Sequence, residues 1–249
     1  MLWIGENMVP TAMILVLGFV LGMRHATDPD HVVAVTTIVA KQRGVAKAGL
    51  IGALWGLGHT VTIFVVGASI ILFGVTIPPR LGLSMEFAVA FMLILLGILN
   101  LTGTLQHLQE RFLGNSFSLK AGVTQCTDNR VRAADTLGTY NVLRPLIIGI
   151  VHGLAGSAAL ALLVMTTIRD PWWAIAYLLL FGLGTVAGMI MITALIAMPI
   201  VWSQGKFSSW NHGITVVSGL ISLSFGFFLT YQIAIVDGLF SNHPRWTPH

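Results

Sequence analysis

Charge is scarce in this 249-residue chain: 9% of its residues are Asp, Glu, Lys or Arg, against 55% hydrophobic ones. A soluble globular domain carries about 25% charged residues, so the composition excludes that class. Mean hydropathy is +0.86. A chain of this kind must close its backbone hydrogen bonds within lipid, which requires helices or a closed barrel. The short alternating segments of a barrel, about ten residues each, are missing. Cysteine is nearly absent too: Cys126 stands alone. One thiol makes no internal disulfide and no zinc cluster, and without thiolates copper(I) is disfavoured as a ligand. Neither a Gly-x-x-x-x-Gly-Lys-Ser/Thr phosphate loop nor a His-Glu-x-x-His helix occurs, which removes the usual signatures of ATP use and of a zinc protease. No basic residue precedes the first apolar run, so that run is expected to stay as a membrane span rather than to be cleaved.

What is present is a series of long apolar runs. Six spans are expected, near 11–40, 49–75, 85–105, 143–168, 174–202 and 213–235. The first is about thirty residues, more than the roughly 20 needed to cross. It is expected to be broken near Asp28-Pro29, because proline removes a helix hydrogen bond. Pro78-Pro79-Arg80 is expected as a tight turn. The charged stretch 107–142 separates a first three-helix unit (1–106) from a second (143–236), and a polar, exposed tail follows (237–249). The halves echo one another: Gly56-Leu57-Gly58 returns as Gly182-Leu183-Gly184, and Thr36-Thr37-Ile38 as Thr166-Thr167-Ile168. Three spans per half is an odd number, so the second copy would be inverted, as in many secondary transporters. The expected fold class is therefore all-α: a polytopic membrane protein of six helices in two inverted three-helix repeats.

The net charge of +4 speaks to topology rather than to nucleic acid. In the six-span arrangement nine basic residues (Lys41, Arg43, Lys47, Arg111, Lys120, Arg130, Arg132, Arg144, Lys206) fall on one side and three (Arg80, Arg169, Arg245) on the other. The basic side is expected to be cytoplasmic, with both termini outside, in the cell (inner) membrane.

Within the first span stands Arg24-His25-Ala26-Thr27-Asp28-Pro29-Asp30-His31. Ionisable groups inside a membrane are costly and are usually paired or functional. Imidazole with carboxylate is a ligand set for Ni²⁺, Co²⁺, Zn²⁺, Mn²⁺ or Fe²⁺. On a straight helix, at about 100° per residue, His25, Asp28 and His31 share a ridge and Asp30 points elsewhere. A break at Pro29 would change that, so Asp28 and Asp30 stay unranked. His59, beside Thr60 in the second span, is the next candidate ligand. Arg24, Thr60 and His152 are candidates for the pathway, Arg24 either neutralising an aspartate or snorkelling.

His25-Ala-Thr-Asp-Pro-Asp30-His31 resembles the signature of the nickel/cobalt transporter family, His, four residues, then Asp-His. Leu57-Gly58-His59-Thr60-Val61 resembles that family's second motif. The likeness implies that His25, Asp30 and His31 bind metal with His59, and that Ni²⁺ or Co²⁺ is the substrate. The family's acidic second-half motif is missing, and the chain has six spans where eight are typical. His152-Gly-Leu-Ala-Gly-Ser-Ala-Ala159 stands in its place, which resembles the short UreH-like branch of the same superfamily.

The expected activity is transmembrane transport of a divalent metal by alternating access, with no enzymatic reaction and no resident cofactor. The expected partners are the metal ion, the bilayer, and a metallochaperone or a second copy of the chain, with no nucleic acid. Three other readings remain open at this point: an intramembrane metalloenzyme, a haem protein using His25 or His59 with His152, and a permease for another solute with a His/Asp proton relay.

Overall fold

The computed structural model describes residues 5–40, 42, 44–74, 77–102, 139–154, 168, 170–204, 208–241 and 244–246. Its elements are α1 (Gly5–His25), α2 (Pro29–Val39), α3 (Val45–Phe73), α4 (Pro79–Leu101), α5 (Thr139–Gly153), α6 (Pro171–Gln204) and α7 (Ser208–Tyr231), closed by a π-helical turn at Gln232–Val236. Among the described residues every regular element is helical. Among the described residues four helices are long and apolar enough to cross a membrane: Val45–Phe73, Pro79–Leu101, Pro171–Trp202 and Gly213–Val236. The apolar parts of α1, α2 and α5 are shorter. The stretch 107–142 lies mostly outside the described residues, as do Thr166 and Thr167.

The polarity is that of a membrane protein. Val16, Val20, Leu57, Val61, Leu183 and Phe227 are exposed on the outer faces, while His31, His59, His152, Thr185, Thr193 and Ser222 are fully buried. An outer surface this apolar is stable only against lipid.

The first span is interrupted where proline stands in the sequence. After α1 the chain makes two tight bonds, Thr27 N–H to the Arg24 carbonyl (2.8 Å) and Asp28 N–H to the His25 carbonyl (3.1 Å). Asp28 then takes extended backbone angles (φ −59°, ψ 145°) and α2 starts on Pro29. Proline suits a first helical position, since its missing N–H would have no partner there. The same rule corrects the expected turn at 78–80: Pro79 opens α4 as its first residue, with Pro78 extended before it. At the far end of α3, Gly74 stops the helix with φ 59°, a conformation that favours glycine.

The tail is also corrected, because part of it folds back. Trp246 is half-buried, packs beside Leu83, Ala90 and Ile233 and donates its indole N–H to Glu86 at 2.9 Å.

Helix packing comes in matched pairs. α3 lies along α6 and α4 along α7; α1 packs on α6, and α5 on α3. Short α2 touches α4, α6 and α7. Glycines set the contacts. Gly58 on α3 meets the Leu146 carbonyl of α5, where a Cβ would lie 2.4 Å away; Gly184 on α6 meets the Phe19 carbonyl of α1, at 2.1 Å. Gly149 on α5 meets the Trp55 carbonyl (2.2 Å), and Gly22 on α1 the Phe181 carbonyl (2.0 Å). In lipid no hydrophobic force holds helices together, so close backbone approach at small residues replaces it.

Gly58→Val should therefore lower stability by about 1–3 kcal/mol, the usual cost of overpacking. Gly213→Ala, at a glycine with nothing within 4 Å, should leave stability unchanged or slightly higher. Thermal unfolding of the two variants in detergent checks the contrast.

Candidate metal centre

Four imidazoles converge where α1, α2, α3 and α5 meet. His25 ends α1, His31 is the third residue of α2, His59 lies midway along α3, and His152 is in the last turn of α5. His31 is central: its ring centroid is 4.7 Å from that of His25, 5.0 Å from His59 and 4.5 Å from His152. Phe181 flanks His25 at 5.5 Å, and Trp55 flanks His152 at 5.4 Å.

The broken helix explains how two residues six apart come together. His31 Nδ1–H donates to the His25 carbonyl at 2.8 Å. That oxygen at the helix end also accepts from Asp28 N–H at 3.1 Å, so the side chain of α2 adds a second bond to the carbonyl that closes α1. The bond also fixes the tautomer: with the proton on Nδ1, the lone pair is on Nε2. His31 Nε2 is buried with no hydrogen-bond partner.

His25 is oriented in the same way. Its Nδ1–H donates to Asp28 Oδ2 at 2.8 Å, which leaves the Nε2 lone pair facing His59 Nε2 at 2.9 Å. His59 Nε2–H donates across that gap, and His59 Nδ1 is then buried without a partner. A carboxylate or carbonyl holding the outer nitrogen of an imidazole is the usual support of a metal-binding histidine. One nitrogen from each of His25, His31 and His59 can be chosen so that all three lie within 4.8 Å of one another.

The two aspartates separate. Asp28 supports His25 from outside, with 36% of its side chain exposed. Asp30 turns to α5 and accepts from His152 Nε2–H at 2.8 Å, with 15% of its side chain exposed. Ligand atoms of Asp30, His31 and His152 form a second close trio, again within 4.8 Å. Both aspartates line a cavity of about 270 Å³ that Glu86, Gln232 and Asp237 also face. Its carboxylates favour cations.

The structure thus brings together His25, Asp28 and His59 on one side of His31, with Asp30 and His152 on the other. Arg24 is exposed at the end of α1, and the two aspartates bond to imidazoles. Thr60 donates its hydroxyl to the Gly182 carbonyl at 3.2 Å, joining α3 to α6. His31 fills the space between His59 and His152 that a haem plane would need. The sequence made His152 a pathway candidate without pairing it with Asp30. A signal was available, since Gly22-x-x-His25 returns as Gly149-x-x-His152 at one offset (149 − 22 = 152 − 25 = 127).

The urease accessory protein UreH of Bacillus sp. (strain TB-90) is 38% identical to this chain over 233 residues, covering 91% of the chain and 94% of that protein. No protein-family model matches, and no solved structure matches significantly.

Asp28→Asn keeps the size of the side chain but removes the charge that orients His25. Losing such an outer partner typically weakens metal binding about 10- to 100-fold. Calorimetry of Ni²⁺ binding to the purified variant should show a drop in that range, and unchanged affinity would mean that Asp28 does not support a ligand.

Proposed function

The chain belongs to the family of the urease accessory protein UreH, and from that membership we propose that it is a permease carrying a divalent transition metal, Ni²⁺ ahead of Co²⁺, across the cell membrane. The family is one of accessory proteins rather than enzymes, and supplying metal is a role an accessory protein can fill. The observation that carries the reading is the buried trio His25, His31 and His59, with two of its three outer nitrogens already held by an oxygen acceptor.

His25 Nε2 and His59 Nε2 are 2.9 Å apart, close enough for one ion to bind both nitrogens at about 2.0–2.1 Å each. In this reading the ion replaces the proton between the two rings, and that proton passes to the unpartnered His59 Nδ1 or leaves. His25, His31 and His59 then bind the ion, Asp30 binds or guides it, and Asp28 assists.

The packing supports two inverted repeats. Exchanging α1 with α5 and α3 with α6 turns each glycine contact into its partner: Gly58–Leu146 into Gly184–Phe19, and Gly22–Phe181 into Gly149–Trp55. α1 and α2 together make the first span. Rocking of one half against the other would open the site to alternate sides, driven by the ion gradient, the membrane potential or a separate partner, since the sequence has no phosphate loop. The basic loops lie in the cytoplasm and both termini outside the cell membrane.

Proteoliposomes holding a nickel-sensitive dye test the proposal. Wild-type protein should admit Ni²⁺, and His31→Ala should reduce entry to the rate of protein-free vesicles. Entry should slow as the pH outside is lowered, because protons compete with metal for imidazole nitrogen. Normal Ni²⁺ entry through His31→Ala would overturn the reading. A C-terminal reporter active only in the cytoplasm would reverse the topology.

A further inference from the structure

Beyond the trio assigned above, a second trio lies within one imidazole of it. Asp30, His31 and His152 offer an oxygen and two nitrogens within 4.8 Å of one another. Both histidines are fully buried. His31 Nε2 and His152 Nδ1 have no hydrogen-bond partner, an unusual condition for a buried polar atom. His152 Nε2 and Asp30 Oδ2 are 2.8 Å apart, nearly the spacing between His25 Nε2 and His59 Nε2.

His25 and His152, which distinguish the two trios, are placed alike. Gly22-x-x-His25 and Gly149-x-x-His152 correspond at one offset of 127. Each glycine lies on the backbone of an aromatic residue of the opposite long helix, Phe181 or Trp55. Each histidine then packs its ring on that same aromatic residue, at 5.5 and 5.4 Å. Each bonds to one aspartate of the broken segment, Asp28 or Asp30. A histidine serving only to pack two helices would not need an acid, a free ring nitrogen and a metal-competent neighbour together.

We infer that Asp30, His31 and His152 form a second binding station for a late first-row divalent cation, joined to the first through His31. This inference rests on the carrier reading above. His31 has one free nitrogen, because its Nδ1 is held by the His25 carbonyl, so the stations fill one at a time. An ion entering the second station displaces the proton between His152 Nε2 and Asp30, and the open His152 Nδ1 accepts it. Asp30 also borders the cavity that Asp28, Glu86 and Asp237 face, so this station is within reach of an ion that has entered there. Moving from one trio to the other exchanges a ligand set shared with α3 for one shared with α5, while α2 supplies the common ligand.

The test uses the full-length protein in detergent, titrated with Co²⁺ and followed by its ligand-field absorption, with Ni²⁺ calorimetry in parallel. Wild-type protein should bind one ion. His25→Gln/His59→Gln should still bind one ion more weakly, and adding His152→Gln should weaken that residual binding at least 10- to 100-fold. His152→Gln retains an N–H donor for Asp30, so a histidine needed only for packing would show no such loss. In a Cys126→Ser background, His152→Cys should give a thiolate-to-cobalt charge-transfer band at saturating Co²⁺. This arm decides the matter if the His25/His59 variant does not fold. No residual ion in a folded His25/His59 variant, residual binding indifferent to His152→Gln, or no charge-transfer band would each overturn the second station. Wild-type protein that binds neither metal would instead overturn the carrier reading itself.

Discussion

Everything around the metal centre depends on the bond from the His31 imidazole to the His25 carbonyl. A helix broken inside a membrane leaves backbone groups that water cannot reach, each costing several kcal/mol if unpaired. Here the break is closed partly by backbone turns at Thr27 and Asp28 and partly by a side chain. That side chain is also the ring around which the other three imidazoles gather. One contact therefore seals the helix end, selects the tautomer of His31 and aims its lone pair inward. Interruption of a membrane helix is tolerated where the freed backbone lines a cavity, and Asp28 and Pro29 line the cavity of about 270 Å³.

The surrounding helices are held close enough for this by glycine. Gly58 and Gly149 bring α3 and α5 into backbone contact on either side of Trp55 and His59, and Gly22 and Gly184 do the same for α1 and α6. Side chains of ordinary size at these positions would hold the helices apart and separate the imidazoles. The small residues and the polar cluster are thus two parts of one arrangement: close approach of backbones makes short imidazole contacts attainable. The four histidines in turn meet inside a protein whose outer face is apolar, where an ion would find nitrogen donors instead of water.

The chemistry expected of the aspartates was divided by the fold. Both lie in the same short stretch, yet Asp28 stays with α1's His25 while Asp30, two residues on, reaches α5. The extended backbone at Asp28 turns the chain between them, and that rotation sends neighbouring carboxylates to different histidines.

The membrane class, the broken first helix and the nearness of His25 to His31 were legible in the sequence, because hydropathy, proline and a local run of donors act within a few residues or through composition; His59, on another helix, was joined to them by the resemblance to the nickel/cobalt transporter family. The start of α4 on Pro79 was also a local matter, misread because a proline pair can serve a turn or a helix start. What only the tertiary structure decided was partnership across helices: Asp30 with His152, Trp246 with Glu86, and the exchange of glycine contacts between halves. The Gly-x-x-His repeat was visible at an offset of 127, but a repeated pattern does not say which ring it will face. That depends on how closely and at what register two helices far apart in the chain come together, and packing sets this through many contacts at once rather than through any one segment.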